Sequence, residues 1–120
     1  MRLDKMVKAT VGALEDIKGR DIVVLDVRRM TALFDKVIVV SGDSARQNKA
    51  LANNVQDKVK AIGGTVHGIE GADPGEWVLI DLGAVVVHIM QPAIRQHYNL
   101  EELWGGANTV PARRAAGGVR

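Results

Sequence analysis

EWVLIDLGAVVVHIMQPAIRQHYNLEELW, residues 76–104, is the stretch whose reading decides the fold. Two apolar runs, residues 77–82 and 85–90, flank Gly83 and Ala84. A glycine followed by one further residue suits a tight two-residue hairpin turn. With that turn Leu82 faces Val85, Ile80 faces Val87 and Val78 faces Ile89. Side chains alternate along a strand, so one face of the hairpin is wholly aliphatic. The other face shows Trp77, Leu79, Asp81, Val86, His88 and Met90. The aliphatic face asks only for a core. The mixed face joins a rigid aromatic ring, an acid, an imidazole and a thioether, which is the make-up of a surface meant to be touched.

Upstream of the hairpin the hydrophobic period changes several times. Residues 5–18 carry Val7, Val11, Leu14 and Ile17 at helical spacing, and Gly19 stops that helix. Residues 21–27 read as a short strand, 28–35 as a connection, and 36–41 (KVIVVS) as a second, almost wholly apolar strand. Such a run is expected where both faces of a strand are covered. Ser44 and Gln47 have the spacing of a capping box, and Leu51, Val55, Val59 and Ile62 form the apolar stripe of the helix that follows. Gly63 and Gly64 end it. Residues 65–69 read as a third strand and residues 71–75 as a loop. Beyond the hairpin, Pro92 suits the first turn of a short helix reaching Tyr98, and Asn99 with Glu102 opens a final turn. The order implies one α/β domain, residues 1–105, around a mixed five-stranded sheet with flanking helices. Residues 106–120 are small, basic and aperiodic and read as a disordered tail.

The formal charge of +2 misleads. Arg113, Arg114 and Arg120 fall in the tail without an acid, so the body keeps thirteen of sixteen bases against fourteen acids. Between Lys60 and Arg95 there is no Lys or Arg, while Glu70, Asp73, Glu76 and Asp81 all lie there. An acidic hairpin repels a phosphate backbone and favours a basic protein. Neither a membrane partner nor sequence-specific nucleic-acid binding is expected. Cysteine is absent, which excludes disulfides and thiolate chemistry. No apolar window approaches a bilayer's width and the start, MRLDKMVKAT, lacks a signal-peptide core, so a cytoplasmic location is the default.

Each candidate site has an ordinary structural account beside it. The Gly42-Asp43-Ser44 turn could hold an anion at a helix start, but capping explains every residue present. A glycine–serine turn before a helix also occurs in nucleotidyltransferases, which need two acids on one strand face to hold magnesium. No Asp-x-Asp or Glu-x-Asp occurs in the chain, and Asp21 and Asp26, five apart, lie on opposite faces. Asp81 and His88 are diagonal neighbours across the hairpin, near enough for an ion pair, yet hydrolysis would need a nucleophile or a metal as well. His67, His88 and His97 lack metal-ligand spacing, so no metal or cofactor is expected. The aromatic set is the better guide. Trp77, Tyr98 and Trp104, three of the four aromatic residues, exceed what the core needs. Bordered by acids and Arg95, they match the composition of binding hot spots.

The segments VIVVSGDSARQ (37–47), WVLIDLG (77–83), VVVHIM (85–90) and RQHYNLEELW (95–104) resemble the Iojap family, the ribosomal silencing factors RsfS. The resemblance covers about residues 5–105 and rests most heavily on the last two segments, in that order. It implies a nucleotidyltransferase-like fold without the catalytic acids. It also implies a non-enzymatic role: binding the large ribosomal subunit at its uL-fourteen protein, blocking joining of the small subunit, and repressing translation. Organelle members of the family are linked to large-subunit assembly. The contact set carried over to this chain is Trp77, Asp81, His88, Met90, Tyr98 and Trp104, with Arg95 and Glu101 at its margin. Two positions depart from the family pattern. Ala84 stands where an acid or Asn often follows the hairpin glycine, and Lys36 stands where an aromatic is common. The rival readings are a residual nucleotidyltransferase-like enzyme using Ser44 and Asp81, an RNA-binding module resting on the tail, and an assembly factor. Pairing of two copies into a homodimer would cover apolar surface that is otherwise open.

Overall fold

The computed structural model describes residues 2–105 and 108–111. Helix α1 (Leu3–Asp16) turns Met6, Val7, Val11 and Leu14 inward along one stripe. Thr10 lies in the same stripe, and its hydroxyl donates to the Met6 carbonyl at 2.8 Å, so a buried polar group is satisfied within the helix. Strand β1 (Arg20–Asp26) then runs antiparallel to β2 (Lys36–Ser41). Helix α2 (Ala45–Ala61) follows, and its start is a simple cap: the Gln47 N–H donates to Ser44 Oγ at 3.0 Å. The Gln47 side chain returns the favour one residue early, accepting from the Asp43 N–H at 2.7 Å. The Gln47 and Asp43 N–H groups at this turn are thus engaged by the protein itself.

Strands β3 (Gly68–Glu70), β4 (Trp77–Asp81) and β5 (Val85–Met90) form a meander, and the short helices α3 (Pro92–Tyr98) and α4 (Leu100–Leu103) come after it. The hairpin register is the one the sequence dictates: Val78 opposite Ile89, Ile80 opposite Val87, Asp81 opposite Val86. Its turn closes with the Leu82 N–H donating to the Val85 carbonyl at 2.9 Å. Gly83 sits there at φ +87°, a backbone state that a side chain resists. The pairing of β2 with β5 is parallel and all other pairings are antiparallel, so the sheet is mixed. Helix α2 with β3 and β4 forms the crossover that a parallel pair requires.

Two expectations change. The third strand begins at Gly68, not Thr65, and is only three residues long. Asn108–Pro111, assigned to the tail by composition, forms β6 and pairs antiparallel with β1, giving the order β3-β4-β5-β2-β1-β6. The outer edge of β1 offers unpaired backbone groups, and a short segment carrying Thr109 and Val110 suits pairing with it. The remainder of the expected tail lies outside the described residues.

Helices α1 and α2 cover one face of the sheet. Val11, Leu14, Leu51, Val55 and Val59 meet Ile38, Val40, Val78, Ile80, Val87 and Ile89, every one of them fully buried. The Asn54 side chain donates to the Ala13 carbonyl at 2.8 Å and ties the helices together. Fully buried Asn48 donates to the Gly75 carbonyl at 2.7 Å, fastening to α2 the loop that delivers β4. The aliphatic hairpin face is core. Ile80→Ala should cost about 2–5 kcal/mol of stability in urea unfolding, because it empties a fully buried site. Leu79→Ala, on the same strand but facing the other way, should cost clearly less. Equal losses would mean the two faces have been assigned wrongly.

Candidate functional site

The opposite face of the sheet is covered over only part of its width. Leu25, Val27, Val37, Val39 and Met90 form a second apolar cluster there, roofed by Ile94 of α3, Leu100 of α4, Phe34 and Trp104. The Phe34 and Trp104 rings meet edge to face at 5.7 Å, which pins the β1–β2 connection against the end of α4. Past this roof the sheet opens. A groove of about 590 Å³ runs over Leu79, Val86 and His88, with Leu33 and Phe34 on one wall and Asp81 and His67 at one end.

Trp77 stands where roof and groove meet. Its ring packs 4.9 Å from that of Tyr98, which is 54% exposed. Its indole N–H donates to His88 Nδ1 at 3.0 Å. An indole N–H can only donate, so Nδ1 must be a bare acceptor and His88 is neutral. Burial points the same way, pushing the His88 pKa from 6.5 down to about 4. The hydrogen bond locks both rings. Three side chains that lie eleven and twenty-one positions apart along the chain thus become one rigid polar-aromatic unit.

Other expected members of the set do different work. Asp81 is exposed, but its Oδ1 accepts from the Gly83 N–H at 2.8 Å and braces the hairpin turn. Asp81 and His88 therefore do not pair, since each has a nearer partner. Met90 is a correction: expected on the contact surface, it is fully buried among Leu25, Val37 and Val39. As the last residue of β5 it lies beneath the roof of α3 and α4, which alternation along the strand alone does not reveal. Arg95 and Glu101 are paired with each other. The Arg95 guanidinium, with its side chain 11% exposed, donates to Glu101 at 3.3 and 3.2 Å and to Ser41 Oγ at 2.9 Å. That fork clamps α3 and α4 to the end of β2. Trp104 is half-buried in the roof.

Lys36, one of the departures from the family pattern, is folded back onto Asp26 at 3.2 Å. Ala84 lies exposed at the turn, where its carbonyl accepts from the Asp35 and Lys36 N–H groups at 2.8 and 3.1 Å.

Sequence reasoning passed over the apolar walls. Leu33 is 82% exposed and Leu103 67% exposed, both unusual for leucine, and Val86 and Leu79 floor the groove. The available signal was Leu33-Phe34, an apolar pair inside a connection otherwise flanked by Arg28, Arg29, Asp35 and Lys36. Among the described residues no three His, Cys, Asp or Glu side chains converge as a metal would require. None of the described helices is long and apolar enough to cross a membrane.

Comparison with known proteins gives a consistent picture. A family model described as "Ribosomal silencing factor during starvation" matches residues 1–117. A Chromobacterium violaceum protein named ribosomal silencing factor RsfS is 54% identical over 106 residues, covering 88% of this chain and 87% of its own. A crystal structure from Chromobacterium violaceum superposes with a TM-score of 0.86 at 53% identity, covering 88% of each chain. A mouse protein named "Mitochondrial assembly of ribosomal large subunit protein 1" is 32% identical over 78% of this chain, which spans 42% of the mouse protein.

The lowered pKa of His88 carries a pH signature. The unfolded chain takes up a proton there near pH 6.5, while the folded protein resists until about pH 4. The neutral ring's contribution to stability is whole above pH 6.5 and is lost as pH falls towards 4. Asp26, held well below the usual carboxylate range by Arg28 and Lys36, loses its contribution only at still lower pH. Urea midpoints should therefore drop between pH 7 and pH 4.5, and His88→Asn should flatten part of that drop. Unchanged acid sensitivity in the variant would rule out His88 as the source.

Proposed function

The chain belongs to the ribosomal silencing factor family, and from that premise we propose that it docks on the large ribosomal subunit through the half-roofed face of its sheet. The uL-fourteen protein is the docking site in this reading. A factor seated there occupies the space that the small subunit needs and represses translation by steric exclusion, without chemistry, in the cytoplasm.

One observation carries the proposal. The core is completed by α1 and α2 on one face and by the short roof on the other, yet Tyr98 and Leu33 stay exposed around a locked Trp77. Exposed aromatic and aliphatic groups beside a rigid hydrogen-bonded pair are what a binding hot spot uses. The charge of this region supports a basic protein as partner: residues 61–94 hold no Lys or Arg, and Asp81 borders the groove. Trp77, Tyr98 and His88 are the direct contacts in this reading, with Asp81 at the groove's end. Trp104, Arg95 and Glu101 position the roof.

Tyr98→Ala should weaken binding to purified large subunits by about 2 kcal/mol or more. Trp77→Ala should do at least as much. Both should restore subunit joining in a reconstitution assay. Because Tyr98 makes few interior contacts, its variant should fold like the parent. A folded Tyr98→Ala protein that co-sediments normally would sink the docking face. Affinity should also fall as salt is raised, since part of the attraction is between unlike charges.

A second reading, large-subunit assembly, is favoured by the name of the mouse relative. Depletion would then leave incomplete large subunits, whereas pure silencing would leave their number unchanged. In the absence of ribosomes the same open face would cover itself in a homodimer, and Leu33→Asp should then shift the protein to monomer in sedimentation.

A further inference from the structure

The groove beside Trp77 contains a hydrogen-bond donor whose direction is set by its neighbour. His88 accepts the Trp77 indole N–H through Nδ1 at 3.0 Å. With that nitrogen bare, the ring of a neutral histidine must carry its proton on Nε2. Among the described residues the bond to Trp77 is the only one that the His88 side chain makes. The residue also lines the open groove, between Leu79 and Val86 on the floor and Leu33 and Phe34 on the wall. A directed N–H group therefore stands among the apolar side chains of the trough, with Asp81 and His67 at its end.

We propose that His88 Nε2–H is the specificity donor of this groove, taking a backbone carbonyl of a basic partner protein that lays an apolar side chain against Leu33, Leu79 and Val86. The inference rests on the docking reading above and deepens it by naming what the partner must offer. Charge selects the occupant. Asp81 is the formal charge on the groove's lining, so a phosphate or a carboxylate is repelled there, while a neutral carbonyl from a lysine- or arginine-rich segment is not. Apolar walls accept an aliphatic side chain and strip water from the donor as it enters. A partner lacking an acceptor at that point would leave a buried N–H unpaired, and so is rejected.

Trp77 thereby has two tasks. It contributes ring surface, and it fixes which nitrogen of His88 faces the partner. This makes it a positioning residue for the donor as well as a contact.

Two substitutions separate the donor from the scaffold. His88→Asn keeps an acceptor near the place of Nδ1, satisfying Trp77, but leaves the place of Nε2 empty. His88→Gln reaches that place with an amide N–H but abandons Trp77. A purely structural histidine predicts that Gln is worse than Asn; a donor predicts the reverse. In titrations with purified large subunits, His88→Asn should bind about tenfold more weakly and His88→Gln within about threefold of the parent. Leu33→Ala, at an exposed position that the fold does not need, should also weaken binding several-fold. Nitrogen-15 spectra of the free protein should show the His88 proton on Nε2.

A proton on Nδ1, undiminished binding by His88→Asn, or weaker binding by Gln than by Asn would each overturn the inference while leaving the docking face intact. Large subunits that ignore the parent protein would overturn the docking reading, and this inference with it.

Discussion

The register of the β4–β5 hairpin is the constraint on which the rest of the molecule depends. Strand side chains have a period of two, so a slip of one residue would carry Val78, Ile80, Val87 and Ile89 to the wrong face of the sheet. The turn at Gly83, with its positive φ and its Leu82–Val85 hydrogen bond, forbids the slip. Asp81 strengthens it by accepting the glycine N–H. Strand β5 is then placed to pair with β4 on one side and, in parallel, with β2 on the other. Both principal helices need the aliphatic face that this register creates.

The two faces of the sheet have been finished to different degrees. Helices of fourteen and seventeen residues cover one of them completely. Helices of seven and four residues are too short to do the same on the other. They roof the ends of β1 and β2, held down by the Arg95–Glu101 fork and the Phe34–Trp104 contact, and they leave the β4–β5 half open. The open half retains polar atoms, but they are organised. Trp77 and His88 satisfy each other, so the face is rigid before any partner arrives, and less ordering entropy is lost on binding.

Much of the fold was legible in the residues. The helical stripes, the Ser44 cap, the glycine turn and the alternation of the hairpin are local signals, and each survives in the structure because tertiary packing agrees with it. The sixth strand was hidden for the opposite reason: Asn108–Pro111 has too little apolar content to announce itself and gains its conformation only from the free edge of β1. The site was half legible. Trp77, Tyr98 and Trp104 could be picked out as aromatic residues in excess of core need, although Trp104 lies half-buried in the roof. Met90, buried beneath α3 and α4, and Arg95 and Glu101, paired between those two helices, could not be told from them, because both outcomes depend on where two short helices land.

By itself the sequence determined the division of the hairpin into an aliphatic face and a mixed one, since alternation and turn chemistry act over neighbouring residues. It also determined the acidity of that region, which is a matter of counting. Only the tertiary structure decided which part of the mixed face stays open. That outcome rests on contacts between residues far apart in the chain: Phe34 with Trp104, Arg95 with Ser41, Trp77 with Tyr98. It decided the state of His88 too. The same imidazole would titrate freely on an open strand, and here an indole N–H and burial together fix it as neutral.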